Sequence, residues 1–221
     1  MSEKLDMWVA PKREGGYWTA SEWIKLTSDE KWADSPNNWK TAIQIFEDRI
    51  NFRFLQAIET LKKSDDAHYK KFKQRRFGFA ATALMALLIE TLAQFYAGVE
   101  ESDGSKRTYV DFLSNESFVF KNYFKTTTAT VFYDTIRCGI FHQAETKNDS
   151  LIRYHKDGDR DEKIPFDSVG TDSLIVYWAT LFKLLKQEIE EYTKKLRSGD
   201  DENLRNNFKK KMGFICHQPN P

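Results

Sequence analysis

The sequence predicts an all-α fold: a helical bundle of four to five core helices behind an irregular N-terminal arm, with room for one small β-hairpin insertion. Three observations predict it. Apolar residues recur at alternating spacings of three and four over much of residues 38–197. Residues 80–93 are apolar on almost every face, as the central helix of a bundle must be. No repeat, low-complexity tract or flexible linker divides the chain. The expected organisation is one domain over residues 1–221, comprising the arm (1–37), the bundle core (38–197) and a C-terminal tail helix (198–221).

The arm is rich in Trp and polar residues around a Gly15-Gly16 break, so Trp18, Trp23 and Trp32 are expected to clamp it onto the body. Ser35-Pro36 has the form of an N-cap followed by proline at the first helical position. Trp39, Ile43, Phe46, Ile50, Phe54, Ile58 and Leu61 then mark a long amphipathic helix. A polar break is expected at 62–66, followed by a second long helix over 72–101. After a turn at Asp103-Gly104, residues 105–124 read as a shorter helix pair anchored by Tyr109, Phe112, Leu113, Phe118 and Phe120. Ala129, Phe132, Tyr133, Ile136 and Ile140 stripe a helix over 126–142, although Thr126, Thr127 and Thr128 are poor helix starters. Residues 151–154 and 164–166 flank the turn-prone Asp157-Gly158-Asp159, forming a two-stranded excursion or a loop. Helical spacing resumes over 172–197, and a final helix over 202–212 is expected to stop at Gly213.

Composition sets limits on function. Of 221 residues, 40% are hydrophobic and 14% aromatic, enough to bury a sizeable core. The 34 basic and 33 acidic side chains nearly cancel to +1, so nucleic-acid binding would need a local patch. The two cysteines, Cys138 and Cys216, have no framework or metal spacing, and Cys216-His217 lacks further ligands; no metal and no cofactor are expected. The first residues are charged where a signal peptide would be apolar, and the apolar run 83–89 is too short to span a bilayer, so the expectation is a soluble, cytoplasmic protein that engages no membrane.

The chemistry is concentrated in Arg137-Cys138-Gly139-Ile140-Phe141-His142. A fixed cation and a titratable imidazole held close together can break RNA without a metal. On a helix Arg137 aligns with Tyr133 and Phe141, and His142 lies about 140° further round. The pair meets in one cleft only where the chain leaves the helix. Gly139 either admits a backbone or phosphate or eases packing. A purely structural alternative has Arg137 capping its own helix and His142 filling a half-buried end position. Glu90 interrupts the most apolar helix and needs a cationic partner, for which Arg137 is a candidate. Asp134, three residues before Arg137, is placed to pair with it.

The apolar helix containing Leu88-Ile89-Glu90-Thr91-Leu92, together with the helix end Phe132-Tyr133-Asp134-Thr135-Ile136-Arg137-Cys138-Gly139-Ile140-Phe141-His142-Gln143, resembles the HEPN superfamily (higher eukaryotes and prokaryotes nucleotide-binding). That superfamily is marked by an arginine followed shortly by a histidine on a late core helix, and its catalytic members are metal-independent endoribonucleases. The resemblance implies that Arg137 holds the scissile phosphate and that His142 acts as general base or acid. Glu90, Cys138, Asp134 and Tyr133 are supporting candidates by their placement around the motif, with a structural ion pair the simpler role for Asp134. The resemblance also implies a 2′,3′-cyclic phosphate product, a homodimer with a composite active site, and a toxin or antiphage defence role with an antitoxin or regulatory partner. The superfamily also contains non-catalytic modules that bind nucleotide, RNA or protein. Cys138 departs from the small polar residue usual after the arginine.

The densest basic run, 69–76, alternates cations with aromatics as single-stranded RNA binding would require, making Lys70, Lys71, Lys73, Arg75 and Arg76 RNA-binding candidates. On the expected helix boundaries these cations crowd a helix N-terminus, against its macrodipole, which favours a binding role. Lys209-Lys210-Lys211 sits near a helix C-terminus, where cations are expected anyway.

Overall fold

A computed structural model describes residues 6–100, 105–155 and 164–216; the turns expected at Asp103-Gly104 and Asp157-Gly158-Asp159, and His217, lie outside them. The described chain is mostly helical, with two small sheets.

The arm is more regular than its composition suggests. Strands β1 (Trp8–Pro11) and β2 (Tyr17–Thr19) pair antiparallel. Helix α1 (Ala20–Leu26) follows, started by a capping box between Thr19 and Glu22. The expected clamp forms, because the arm carries donors and rings that the body can satisfy. Asp48, fully buried, accepts from Arg13 Nε at 2.6 Å and from Trp18 Nε1 at 3.1 Å. Trp23, Trp32 and Trp39 then continue as an aromatic ladder, at centroid spacings of 5.7 and 5.8 Å, that ends on Phe208. Edge-on contacts of this kind add a few tenths to about 1.5 kcal/mol each beyond burial.

Helix α2 (Pro36–Ile50) starts at the expected place, with Pro36 at its first turn, though the Ser35 hydroxyl makes no capping bond. It runs through a π-turn at Asn51–Leu55 directly into α3 (Gln56–Phe72). The polar break expected at 62–66 is therefore not a break. Its acids face the turn after the helix: the buried Asp65 accepts from the backbone N–H of Arg76 at 2.7 Å and of Phe77 at 3.1 Å. The chain breaks instead at Lys73, which takes a left-handed φ of 58°.

Helix α4 (Gly78–Ala97) is the centre of the bundle and ends at Gly98, with φ 63°. Among the described residues it is the helix long and apolar enough to cross a membrane, and half of its apolar window is buried inside the fold. It packs on α3, on α5 (Ser105–Asp111), on α8 (Trp178–Ser198) and on α9 (Glu202–Ile215), the seat of a core helix. The helix pair expected over 105–124 is α5 followed by a π-turn at Phe112–Glu116 and a single 3₁₀ turn at Phe120–Asn122. Helix α9 starts on the Asp201 cap and continues through Gly213 to Ile215, because Gly213 is buried in the packed helix rather than left at its end.

Strands β3 (Leu151–Arg153) and β4 (Phe166–Val169) do not pair with each other. Both flank β5 (Ser173–Tyr177), β3 parallel and β4 antiparallel. The expected hairpin is thus a three-stranded sheet, and the helix expected to begin at 172 begins at Trp178. The Leu174-Ile175-Val176-Tyr177 run suits a strand better than a helix, and four of its five β5 positions are buried.

Candidate functional site

The motif helix is α6 (Thr126–Val131), a π-turn at Phe132–Arg137 and α7 (Cys138–Gln143) in continuous succession. π-turns are rare and tend to occur at functional sites. This one puts Arg137 at its last position, and a returning strand of chain completes its bonding. The Thr135 carbonyl accepts from Lys147 N at 3.0 Å. The helix ends at Gln143, and Ala144 takes a left-handed φ of 54°. His142 therefore stands in the final turn, exposed.

The return of the chain explains Gly139. A Cβ there would lie 2.5 Å from the Glu145 carbonyl oxygen and 3.1 Å from Thr146 Cα. The close approach that requires glycine is made by the chain's own loop. Gly139→Ala must push backbone aside, and a loss of about 1–3 kcal/mol in urea unfolding is expected.

Arg137 reaches across to α4 and pairs with Glu90, whose Oε2 accepts from Nη2 at 2.8 Å and from Nε at 3.2 Å. The two side chains are only 18% and 12% exposed. Partial burial opposes the Arg137 charge, but the Glu90 hydrogen bonds and charge outweigh it and raise the guanidinium pKa. The rings of Tyr133 and Phe141, one turn to either side, lie 5.3 and 5.0 Å from the guanidinium carbon. The Cys138 side chain, next in sequence, is a further hydrogen-bonding neighbour of the guanidinium.

The other expected supports divide. Asp134 does not pair with Arg137; it turns to Lys106 of α5 at 2.6 Å, since Glu90 already occupies the arginine. Tyr133, buried, shares a 2.6 Å hydrogen bond with Ser105 Oγ. Cys138 is half-buried. His142 forms no hydrogen bond or ion pair among the described residues and does not contact Arg137 through one. Sequence reasoning read Tyr109 only as an apolar anchor; it is a fully buried phenol whose hydroxyl has no hydrogen-bond partner among the described residues, and its ring lies 5.3 Å from that of Tyr133. Burial first and the Glu90 charge second raise its pKa.

The basic run lies at the C-terminus of α3 and not at a helix N-terminus, so Lys70 and Lys71 match the macrodipole and the sign argument for binding falls away. Arg75 is engaged internally: Nη1 donates to Asp65 at 3.1 Å and to Asp66 at 2.7 Å, and its guanidinium carbon lies 3.6 Å from the Tyr154 ring centroid. Lys70, Lys71, Lys73 and Arg76 are exposed. Lys211, by contrast, is buried with its ammonium on the Glu100 carbonyl at 2.6 Å. Among the described residues no group of three or more His, Cys, Asp or Glu side chains is placed to hold a metal ion.

Comparison of the chain with family models, with curated proteins and with solved structures finds no match. The functional reading accordingly rests on these residues and their geometry.

Proposed function

We propose that the protein is a metal-independent endoribonuclease of HEPN type, acting through Arg137 and His142. The observation that carries the reading is the Arg137 guanidinium, held by Glu90 and two flanking rings, in the same helix end as an exposed imidazole. A planar donor that stays charged suits a phosphate whose charge grows in the transition state. One imidazole takes the proton of the ribose 2′-hydroxyl, and the 2′-oxygen attacks phosphorus. The 5′-oxygen leaves with a proton from a second acid, and the products are a 2′,3′-cyclic phosphate and a 5′-hydroxyl. A single protomer offers one histidine at this helix end, so the second acid is assigned to His142 of the partner subunit in a homodimer. On this reading the enzyme is a cytoplasmic toxin or antiphage effector, restrained by an antitoxin or regulatory protein.

A second reading has its own support. Arg137 is bonded to Glu90 and not to His142, which is what a non-catalytic helical module binding nucleotide, RNA or protein would need for stability alone. Cleavage decides between them. Protein freed of contaminating nuclease is expected to cut single-stranded RNA in excess EDTA and leave cyclic-phosphate ends, detectable by mass spectrometry. Intact RNA under those conditions would leave the binding module.

A further inference from the structure

We propose that the turn joining α3 to α4 is a base-stacking platform for single-stranded RNA, with Phe72 and Tyr69 as the stacking rings and Lys70, Lys71, Lys73 and Arg76 as the phosphate contacts. The inference deepens the ribonuclease reading by giving its substrate a seat, and it rests on that reading for the identity of the ligand.

The turn is built, and its own carboxylates are already answered. Asp65 is spent on the two backbone N–H groups of Arg76 and Phe77, and Arg75 bridges Asp65 and Asp66. Lys62 adds a second cation to Asp66 at 3.3 Å. Tyr154 closes the base of the turn, donating to Asp66 at 3.0 Å and stacking on Arg75. The cations left over, Lys70, Lys71, Lys73 and Arg76, are exposed and form no ion pair among the described residues.

Two aromatic rings stand among them. Phe72 is 51% exposed and Tyr69 41% exposed, a costly placement for rings that could have been packed. Each is braced rather than loose. The His68 ring lies 4.6 Å from Phe72, and the Arg75 guanidinium lies 4.3 Å from Tyr69. Lys71 and Lys73 lie over the Phe72 and Tyr69 rings, at 4.9 and 5.7 Å from their centroids, and a base seated on a ring would take the place of its lysine there. Braced aromatics ringed by unpaired cations take a base on the ring and its phosphates on the lysines, which is how single strands are held without reading sequence. A duplex keeps its base faces stacked and could use only the charges. A protein partner would need apolar area, which two rings set among four cations do not offer.

The position fits the site. From Gly78, just beyond the turn, to Glu90 is twelve residues of α4, about 18 Å at 1.5 Å per residue. The chain leaving His142 runs back along α4 through β3, where the position of a Gly78 Cβ lies 3.3 Å from Ile152 Cγ2, and reaches Tyr154 beneath the turn. Platform and Arg137 thus lie toward opposite ends of one helix, joined by one strip of chain. A strand seated on the platform would run about 18 Å along α4 to reach the level of Glu90.

The test uses the full chain carrying His142→Ala, so that binding is read without cleavage, and fluorescence anisotropy of a labelled single-stranded RNA of about 12 nucleotides. Phe72→Ala combined with Tyr69→Ala is expected to weaken binding about tenfold or more, and because Tyr69 lies on Arg75 and Phe72 on His68, a thermal melt of the same protein is read beside it to show that the fold is kept. Phe72→Tyr, which keeps a ring, is expected to hold the affinity. Lys70→Gln with Lys71→Gln is expected to flatten the log–log salt slope by about 0.7 per cation removed. The proposal is overturned if the double aromatic variant binds like its parent, if a duplex of the same length binds as tightly as the single strand, or if no single strand binds at all. It is also overturned if the aromatic variant only converts a dimer to a monomer. Failure here and failure of the ribonuclease reading are separable, since wild-type cleavage in EDTA is scored independently of these affinities.

Discussion

On the proposed ribonuclease reading, His142→Ala is expected to lower the rate of RNA cleavage by about 10²–10⁴-fold, the usual contribution of a general acid or base. The side chain is exposed and makes no hydrogen bond or ion pair among the described residues, so its removal should change stability by no more than about 0.5 kcal/mol. That separation makes the experiment informative, because a lost activity cannot be blamed on a lost fold. Arg137 offers no such clean reading. Removing it strands the Glu90 carboxylate, 12% exposed, in the bundle, and both fold and activity would suffer. A His142→Ala protein that cuts RNA as fast as its parent would end the catalytic assignment.

Glu188→Ala is expected to cost about 3–5 kcal/mol through orphaned donors and a cavity, which for a chain of this size lowers the thermal midpoint by about 6–20 °C. Glu188 is fully buried, and among the described residues no ion pair is made to it. Its Oε1 accepts from Tyr96 Oη at 2.5 Å and from Phe118 N at 3.0 Å, and its Oε2 accepts from Val119 N at 2.6 Å. Alanine would orphan all three donors and leave a cavity. Burial first, and the Glu188 charge second, raise the Tyr96 pKa, so the phenol stays protonated and able to donate through the physiological range. Glu188→Gln keeps an acceptor for two of the donors and turns an amide toward the third, and its loss should be smaller, about 1–3 kcal/mol. Thermal unfolding of the two variants checks both values, and a midpoint unchanged in Glu188→Ala would refute the account. The consequence reaches the site, since Phe118 and Val119 lead through the 3₁₀ turn at Phe120–Asn122 into the motif helix.

Glu188 and Glu90 show how far local patterning carries. Glu90 is conspicuous because everything around it is apolar. Glu188 obeys the same rule, lying at helical spacing in the stripe of Leu181, Leu185 and Tyr192, but the charges beside it, exposed Glu190 and half-buried Lys186 and Glu191, mask it in the sequence. Arg75 is the reverse case. It reads as one cation among several, and only the chain's return at Tyr154 and the register of Asp65 on α3 turn it inward.

The sequence by itself determined the helical class, the start of helix α2 at Pro36, the central place of the 80–93 segment, the tryptophan clamp and the need of Glu90 for a cation. Each of these follows from periodicity, capping chemistry or the cost of burying charge, and all act within a few turns of the chain. Tertiary structure alone decided the order of the three-stranded sheet, the loop that Gly139 admits, the π-turn that carries Arg137 and which cations of 69–76 face solvent. Those outcomes depend on partners distant in sequence, such as β3 and β5 or Asp65 and Tyr154 around Arg75, and no local spacing records which distant group will arrive.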